Sequence, residues 1–101
     1  MIVEYIRYKI DAGRADEFVD AYRRAGALLD ASPNCLHWEA TRCVDEPDKQ
    51  IVRIEWDSVE GHLEGFRKSP DFKPFLEATG PFYNNIEEMT HYQVTAKGEP
   101  S

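Results

Sequence analysis

Two runs decide the fold: Cys35-Leu-His-Trp-Glu-Ala-Thr-Arg-Cys-Val44 and Gln50-Ile-Val-Arg-Ile-Glu-Trp56, separated by Asp45-Glu-Pro-Asp-Lys49. In the first, Leu36, Trp38, Ala40 and Val44 alternate with His37, Glu39 and Thr41. In the second, Val52, Ile54 and Trp56 alternate with Arg53 and Glu55. A period of two marks half-buried strands, and a proline-bearing turn between two such runs predicts a β-hairpin. Matching the apolar faces places Trp38 and Trp56 on the same side.

A helix flanks the hairpin on each side. Upstream, Ala15, Phe18, Val19, Tyr22, Ala25, Leu28 and Leu29 recur at helical steps within Arg14 to Ala31, and Ser32-Pro33 stops the run. Downstream, Asp57 with Glu60 reads as a capping box ahead of a stripe of Val59, His62, Leu63 and Phe66. Ser69-Pro70 breaks and restarts that helix, which carries Phe72, Phe75 and Leu76 inward until Gly80-Pro81. Alternation over Ile2 to Ile10 adds a strand ahead of the first helix, and Ile86 to Thr95 reads as a last strand, with Phe82 to Asn85 as a connector. One domain therefore spans 1–95, and the polar tail 96–101 is expected to be disordered.

The order β-α-β-β-α-β predicts an α+β, ferredoxin-like fold: a four-stranded antiparallel sheet with both helices on one face. That face carries Ile2, Ile6, Leu36, Trp38, Ile54 and Trp56, with Glu4 as its one charge. The opposite face mixes Arg7, Lys9, Glu39, Arg53 and Glu55 with Val3, Tyr5 and Thr41. Leu, Ile, Val and Phe number only 22 of 101 residues, a thin core for one chain. A homodimer joined through the charged sheet face is the expected remedy.

Charge narrows the partners. With 19 acidic and 12 basic residues the net charge is −7, and the basic residues are scattered, which disfavours nucleic acid and anionic membrane surfaces. No run approaches the ~20 apolar residues of a membrane span, and the N-terminus lacks a secretory pattern, so a cytoplasmic location is expected. Cys35 and Cys43 on one strand would lie roughly 26 Å apart, far beyond the ~7 Å a disulfide allows. Without a paired Cys or His motif, no metal site is expected.

Met1-Ile-Val-Glu-Tyr-Ile-Arg-Tyr8, Asn34-Cys-Leu-His-Trp38 and above all Arg53-Ile-Glu-Trp-Asp-Ser-Val-Glu-Gly-His-Leu-Glu-Gly-Phe-Arg-Lys-Ser-Pro-Asp-Phe72 resemble the antibiotic biosynthesis monooxygenase (ABM) domain family. The resemblance runs from Ile2 to about Val94, and its most specific piece is Trp56, Ser58, His62-Leu63-Glu64 and Ser69-Pro70. It implies a dimeric α/β barrel with a pocket between sheet and helices in each subunit. The family includes cofactor-free monooxygenases that form quinones, quinol monooxygenases, haem-degrading monooxygenases and members without known activity. The haem branch's strand asparagine, helix tryptophan and ligating histidine fall on Ile6, Phe66 and Leu76, so that branch is disfavoured. The quinone-forming branch keeps its tryptophan as Trp56, loses its asparagine to Val52, and has His62 where it carries a tyrosine.

The implied activity is a cofactor-independent monooxygenase acting with O₂ on a small electron-rich aromatic or quinol. The alternative is a non-catalytic small-ligand-binding or dimerisation module. His62, with an ordinary pKa of ~6.5, is the expected proton acceptor and Trp56 the second catalytic residue. Trp38, Phe66, Ile6, Val52 and Leu76 are expected to complete the substrate pocket, with Tyr83 at its mouth. Both indole N–H groups would face a substrate oxyanion.

Overall fold

Alternating inward and outward side chains mark the first and third strands most clearly among the four of the computed structural model, which describes residues 1–99. These are β1 (Ile2–Lys9), β2 (Cys35–Arg42), β3 (Lys49–Trp56) and β4 (Ile86–Gln93). All pairs are antiparallel, in the order β2-β3-β1-β4. Helix α1 (Ala15–Ala31) carries the chain from β1 past the place that β3 later fills. A second helical arm, a π-helical segment (Gly61–Phe66) followed by α2 (Phe72–Thr79), returns it to β4 beside β1. A 3₁₀ turn (Gly80–Asn85) makes the last connection. This is the expected α+β ferredoxin-like arrangement.

The core lies between sheet and helices. Ile6, Tyr8, Val52, Ile54 and Trp56 from the sheet meet Phe18, Tyr22, Ala25 and Leu29 of α1, together with Phe66, Phe75 and Phe82. Each large side chain so removed from water contributes about 1.5–3 kcal/mol. Phe18 is central: its ring stands near-perpendicular to Phe82 at 5.3 Å and tilted to Tyr8 at 4.8 Å. Edge-to-face packing of this kind adds to what burial alone supplies. Cys35 and Cys43 are free thiols, and burial pushes the Cys35 thiol up to about 11.

Trp38 shares the inward face with Trp56, as the hairpin register requires: Trp38 pairs with Ile54, two residues from Trp56. Its ring lies on α1 at Gly26, where an added Cβ would sit 2.0 Å from Trp38 Cζ2. Only a residue without a side chain admits the indole there. The Trp38 N–H donates to Asp30 Oδ1 at 2.7 Å, which ties the ring to the end of α1.

Several local expectations are corrected. A bulge between Cys35 and His37 inserts Leu36 as an extra residue, so Cys35 turns inward and Leu36 is 58% exposed. β2 ends at Arg42, which leaves Val44 in the loop and 90% exposed. The cap of the second arm is Ser58, whose Oγ accepts the Gly61 N–H at 2.8 Å. Asp57 instead accepts a 2.9 Å hydrogen bond from Asn34 Nδ2. Val3 does lie on the outer sheet face but is buried, sharing a groove with Tyr5, Tyr92 and the 94–97 segment. Among the described residues no regular secondary structure follows Gln93; Pro100 and Ser101 of the expected disordered tail lie outside them. No helix among the described residues is long and apolar enough to cross a membrane.

Candidate active site

Between the β3-β1-β4 half of the sheet and the second helical arm lies a hollow of about 200 Å³. For scale, a dry apolar cavity of ~150 Å³ accepts benzene. Its floor is Glu4, Ile6 and Tyr8 of β1 with Ile54 and Trp56 of β3; its roof is His62, Phe66, Phe72, Phe75 and Leu76. Tyr83, Ile86 and Met89 complete the lining, with Tyr83 and Met89 exposed. Alternation along β1 explains the floor: every second side chain points inward, here a carboxyl, an aliphatic group and a phenol.

Backbone geometry in the arm aims His62. The Arg67 N–H bonds to the His62 carbonyl at 3.0 Å, the five-residue spacing of a π turn. Gly61 and Gly65 let the arm press against the Asn34–Asp57 pair: a Cβ on Gly65 would sit 2.3 Å from Asn34 Oδ1. A Cβ on Gly61 would meet Asp57 Oδ1 at 1.8 Å. So clamped, His62 is only 4% exposed and stacks on Trp56, with centroids 4.4 Å apart and planes 11° from parallel.

Four side chains then form a chain of polar contacts. The Trp56 N–H donates to Glu4 Oε1 at 3.1 Å, and His62 Nε2 lies 3.6 Å from the same oxygen. On its other side, His62 Nδ1 is 2.7 Å from His91 Nε2. Glu4 and His91 are directly opposed on β1 and β4, which brings the second histidine to the group. Burial raises the Glu4 carboxyl to about 7 against the lowering pull of the Trp56 hydrogen bond and the Arg67 charge. Burial lowers His62 to about 3, with Arg67 and His91 adding to it. His91 is lowered by burial and by Arg67. Near neutral pH both imidazoles are uncharged and Glu4 is poised between its two forms. At the other end of the floor, the Tyr8 and Tyr22 hydroxyls share a 2.5 Å hydrogen bond, and burial raises both, Tyr8 to about 12.

Donor atoms of Glu4, His62 and His91 lie within 4.8 Å of one another, which invites a metal reading. A metal ion takes one nitrogen from each histidine. Here His62 engages His91 through Nδ1 and faces Glu4 with Nε2, so the three side chains stand as a line of polar contacts with His62 in the middle.

Of the residues expected at the site, Ile6, Trp56, His62, Phe66, Leu76 and Tyr83 line the hollow, with Tyr83 64% exposed. Trp38 and Val52 do not. Trp38 sits on β2, the edge strand farthest from β4, and packs on α1; Val52 is fully buried in the main core. Neither indole N–H is free for a substrate oxyanion, since each donates to a carboxylate. Glu4, His91 and Arg67 were not among the expected site residues. The signal for Glu4 was its place as the single charge on an apolar strand face.

Residues 1–78 match the family described as antibiotic biosynthesis monooxygenase. The chain belongs to that family. The chain is 28% identical over 93 residues to YczJ of Bacillus subtilis (strain 168), an uncharacterised protein, covering 92% of this chain and 98% of that protein. A proposed antibiotic biosynthesis monooxygenase from Bordetella bronchiseptica superposes with TM-score 0.77 at 22% identity, covering 94% of this chain and 97% of that one. A variant of SnoaB, a cofactor-independent oxygenase from Streptomyces nogalater, superposes with TM-score 0.77 at 14% identity, over 95% and 94% of the two chains. At these identities the two structures attest the ABM fold.

Proposed function

We propose that this ABM domain is a cofactor-independent monooxygenase that oxidises a small electron-rich aromatic or quinol with O₂. The observation that carries the reading is the hollow: apolar walls, a stacked Trp56–His62 pair, and a carboxyl at one end. Such a site suits a flat hydroxylated ring. The chemistry needs only the substrate's own electrons. Its hydroxyl proton leaves, the resulting anion passes one electron to O₂, and the radical pair joins through a new C–O bond. The O–O bond then breaks. One oxygen remains as a quinone carbonyl, and the other departs as water with the two hydrogens lost from the substrate. What the protein supplies is deprotonation, orientation and a dry cage.

Oxygen uptake tests this against the alternative of a non-catalytic binding module. Aerobic incubation with a panel of hydroquinones and anthrones is expected to consume O₂ faster than autoxidation in buffer alone. Uptake at the buffer rate across the panel would reject the enzymatic reading.

The outer sheet face supports a homodimer. Arg7 pairs with Glu88 at 2.7 Å across β1 and β4, Arg53 with Glu55 at 2.7 Å along β3, and Tyr5 meets Tyr92 edge-to-face at 5.3 Å. Tyr92 remains 46% exposed there. Light scattering on the purified chain is expected to give twice the 11.7 kDa of one copy; a mass of one copy would refute the dimer.

A further inference from the structure

We propose that Glu4 accepts the hydroxyl proton of the substrate and that His62 and His91 carry that proton out past β4. The inference deepens the monooxygenase reading and rests on it. Glu4 is the one carboxylate in the lining of the hollow, and the Trp56 N–H fixes its Oε1 at 3.1 Å. His62 Nε2 waits 3.6 Å from that oxygen, and the 2.7 Å contact from Nδ1 to His91 Nε2 continues the line. Glu4 and His62 are buried, whereas His91 is half-buried on an edge strand, so the line runs from the hollow toward solvent.

The transfers balance. The substrate O–H bond breaks and its proton joins the Glu4 carboxylate, leaving an aryloxide in the hollow. Glu4 passes the proton to His62 Nε2, His62 releases the one on Nδ1 to His91 Nε2, and His91 gives its own Nδ1 proton to water. No electrons move in these steps. Burial suits each group to its part: a carboxyl near neutrality is a better acceptor than a histidine held at about 3. His62, expected from sequence to be the base, becomes the conductor.

The groups around Glu4 are Trp56 from β3, His91 from β4, and His62 and Arg67 from the arm, while Tyr8 and Tyr22, at the far end of the floor, feel only its charge. A base works unprotonated, so kcat/KM is expected to fall as pH drops through about 7, the Glu4 value. Were His62 the base, no limb would appear there.

The test measures oxygen uptake with a quinol that the wild type oxidises, across the neutral pH range, for wild type, Glu4→Gln and His91→Ala. Glu4→Gln keeps an acceptor for Trp56; it is expected to lose on the order of 10²–10⁴-fold in kcat/KM together with the limb near neutrality. His91→Ala is expected to lose on the order of tenfold and to recover with added imidazole, which substitutes at the exposed end. A Glu4→Gln variant with the wild-type rate and pH profile overturns the relay and leaves the monooxygenase standing. A wild type that accelerates nothing overturns both. Should Glu4→Gln not fold, ¹³C NMR of glutamate-labelled wild type decides: a Glu4 carboxyl titrating near neutrality supports the relay, and one titrating in the ordinary carboxylate range refutes it.

Discussion

Trp56→Ala is expected to destabilise the domain by about 3–5 kcal/mol, more than any other substitution considered for this chain. The side chain is fully buried, stacks on His62 and sits 5.4 Å from Phe66, so its loss opens a void between β3 and the second arm. For a domain of this size that is a drop of roughly 12–40 °C in melting temperature. Chemical denaturation followed by circular dichroism checks it. Trp56→Phe separates packing from hydrogen bonding. It keeps a stacked ring but leaves Glu4 Oε1 without its N–H donor, a loss of about 1–3 kcal/mol. Equal effects of the two variants would show that the void is filled by relaxation.

Leu76→Trp is expected to abolish oxygen uptake, at least tenfold, while the domain stays folded. Leu76 lines the hollow from α2 yet is 45% exposed, so an indole there can reach over the opening without being forced into a packed core. Stability should change by no more than about 0.5 kcal/mol, as for ordinary surface positions. Val44→Trp is the control: its position is 90% exposed in the β2–β3 loop, and uptake should be unchanged. Full activity in Leu76→Trp would mean that substrate does not enter through this hollow.

His62→Ala is a poor probe by comparison. The ring is buried, stacked and bonded to His91, so its removal disturbs folding and proton transfer together. Glu4→Gln isolates the chemistry with less structural damage.

Strand and helix order were legible because alternation and helical spacing act locally, and the hairpin between two helices left one simple topology. The same alternation set Trp38 and Trp56 on one face correctly. It did not say which helix each would meet. Trp38 went to α1 because Gly26 leaves a gap there and Asp30 offers an acceptor, facts visible only once β2 stands at the sheet's edge. The bulge at Leu36 was hidden for a similar reason: one extra residue reverses the face of its neighbour without changing the composition of the run.

The site divides along the same line. Phe66 and Leu76 were found from spacing and resemblance, and Trp56 and His62 from the motif around them. Glu4 was noticed as a charge on an apolar face but given no task, since its worth depends on residues 52 and 58 positions away that supply Trp56 and His62. His91 carries no local signal of its own; only the β1–β4 register sets it opposite Glu4. Long-range pairing, not local pattern, assembled the polar end of the hollow.

Tryptophan emission from a Trp38→Phe protein, titrated without oxygen with a one- or two-ring hydroquinone, bears most directly on whether a flat guest occupies the space beside Trp56. That variant keeps Trp56 as the sole indole of the two in the chain. Saturable quenching at one site per chain is the expected result. Emission that stays constant to saturation, or quenching seen only when Trp38 is the indole retained, would place the guest elsewhere and contradict the account.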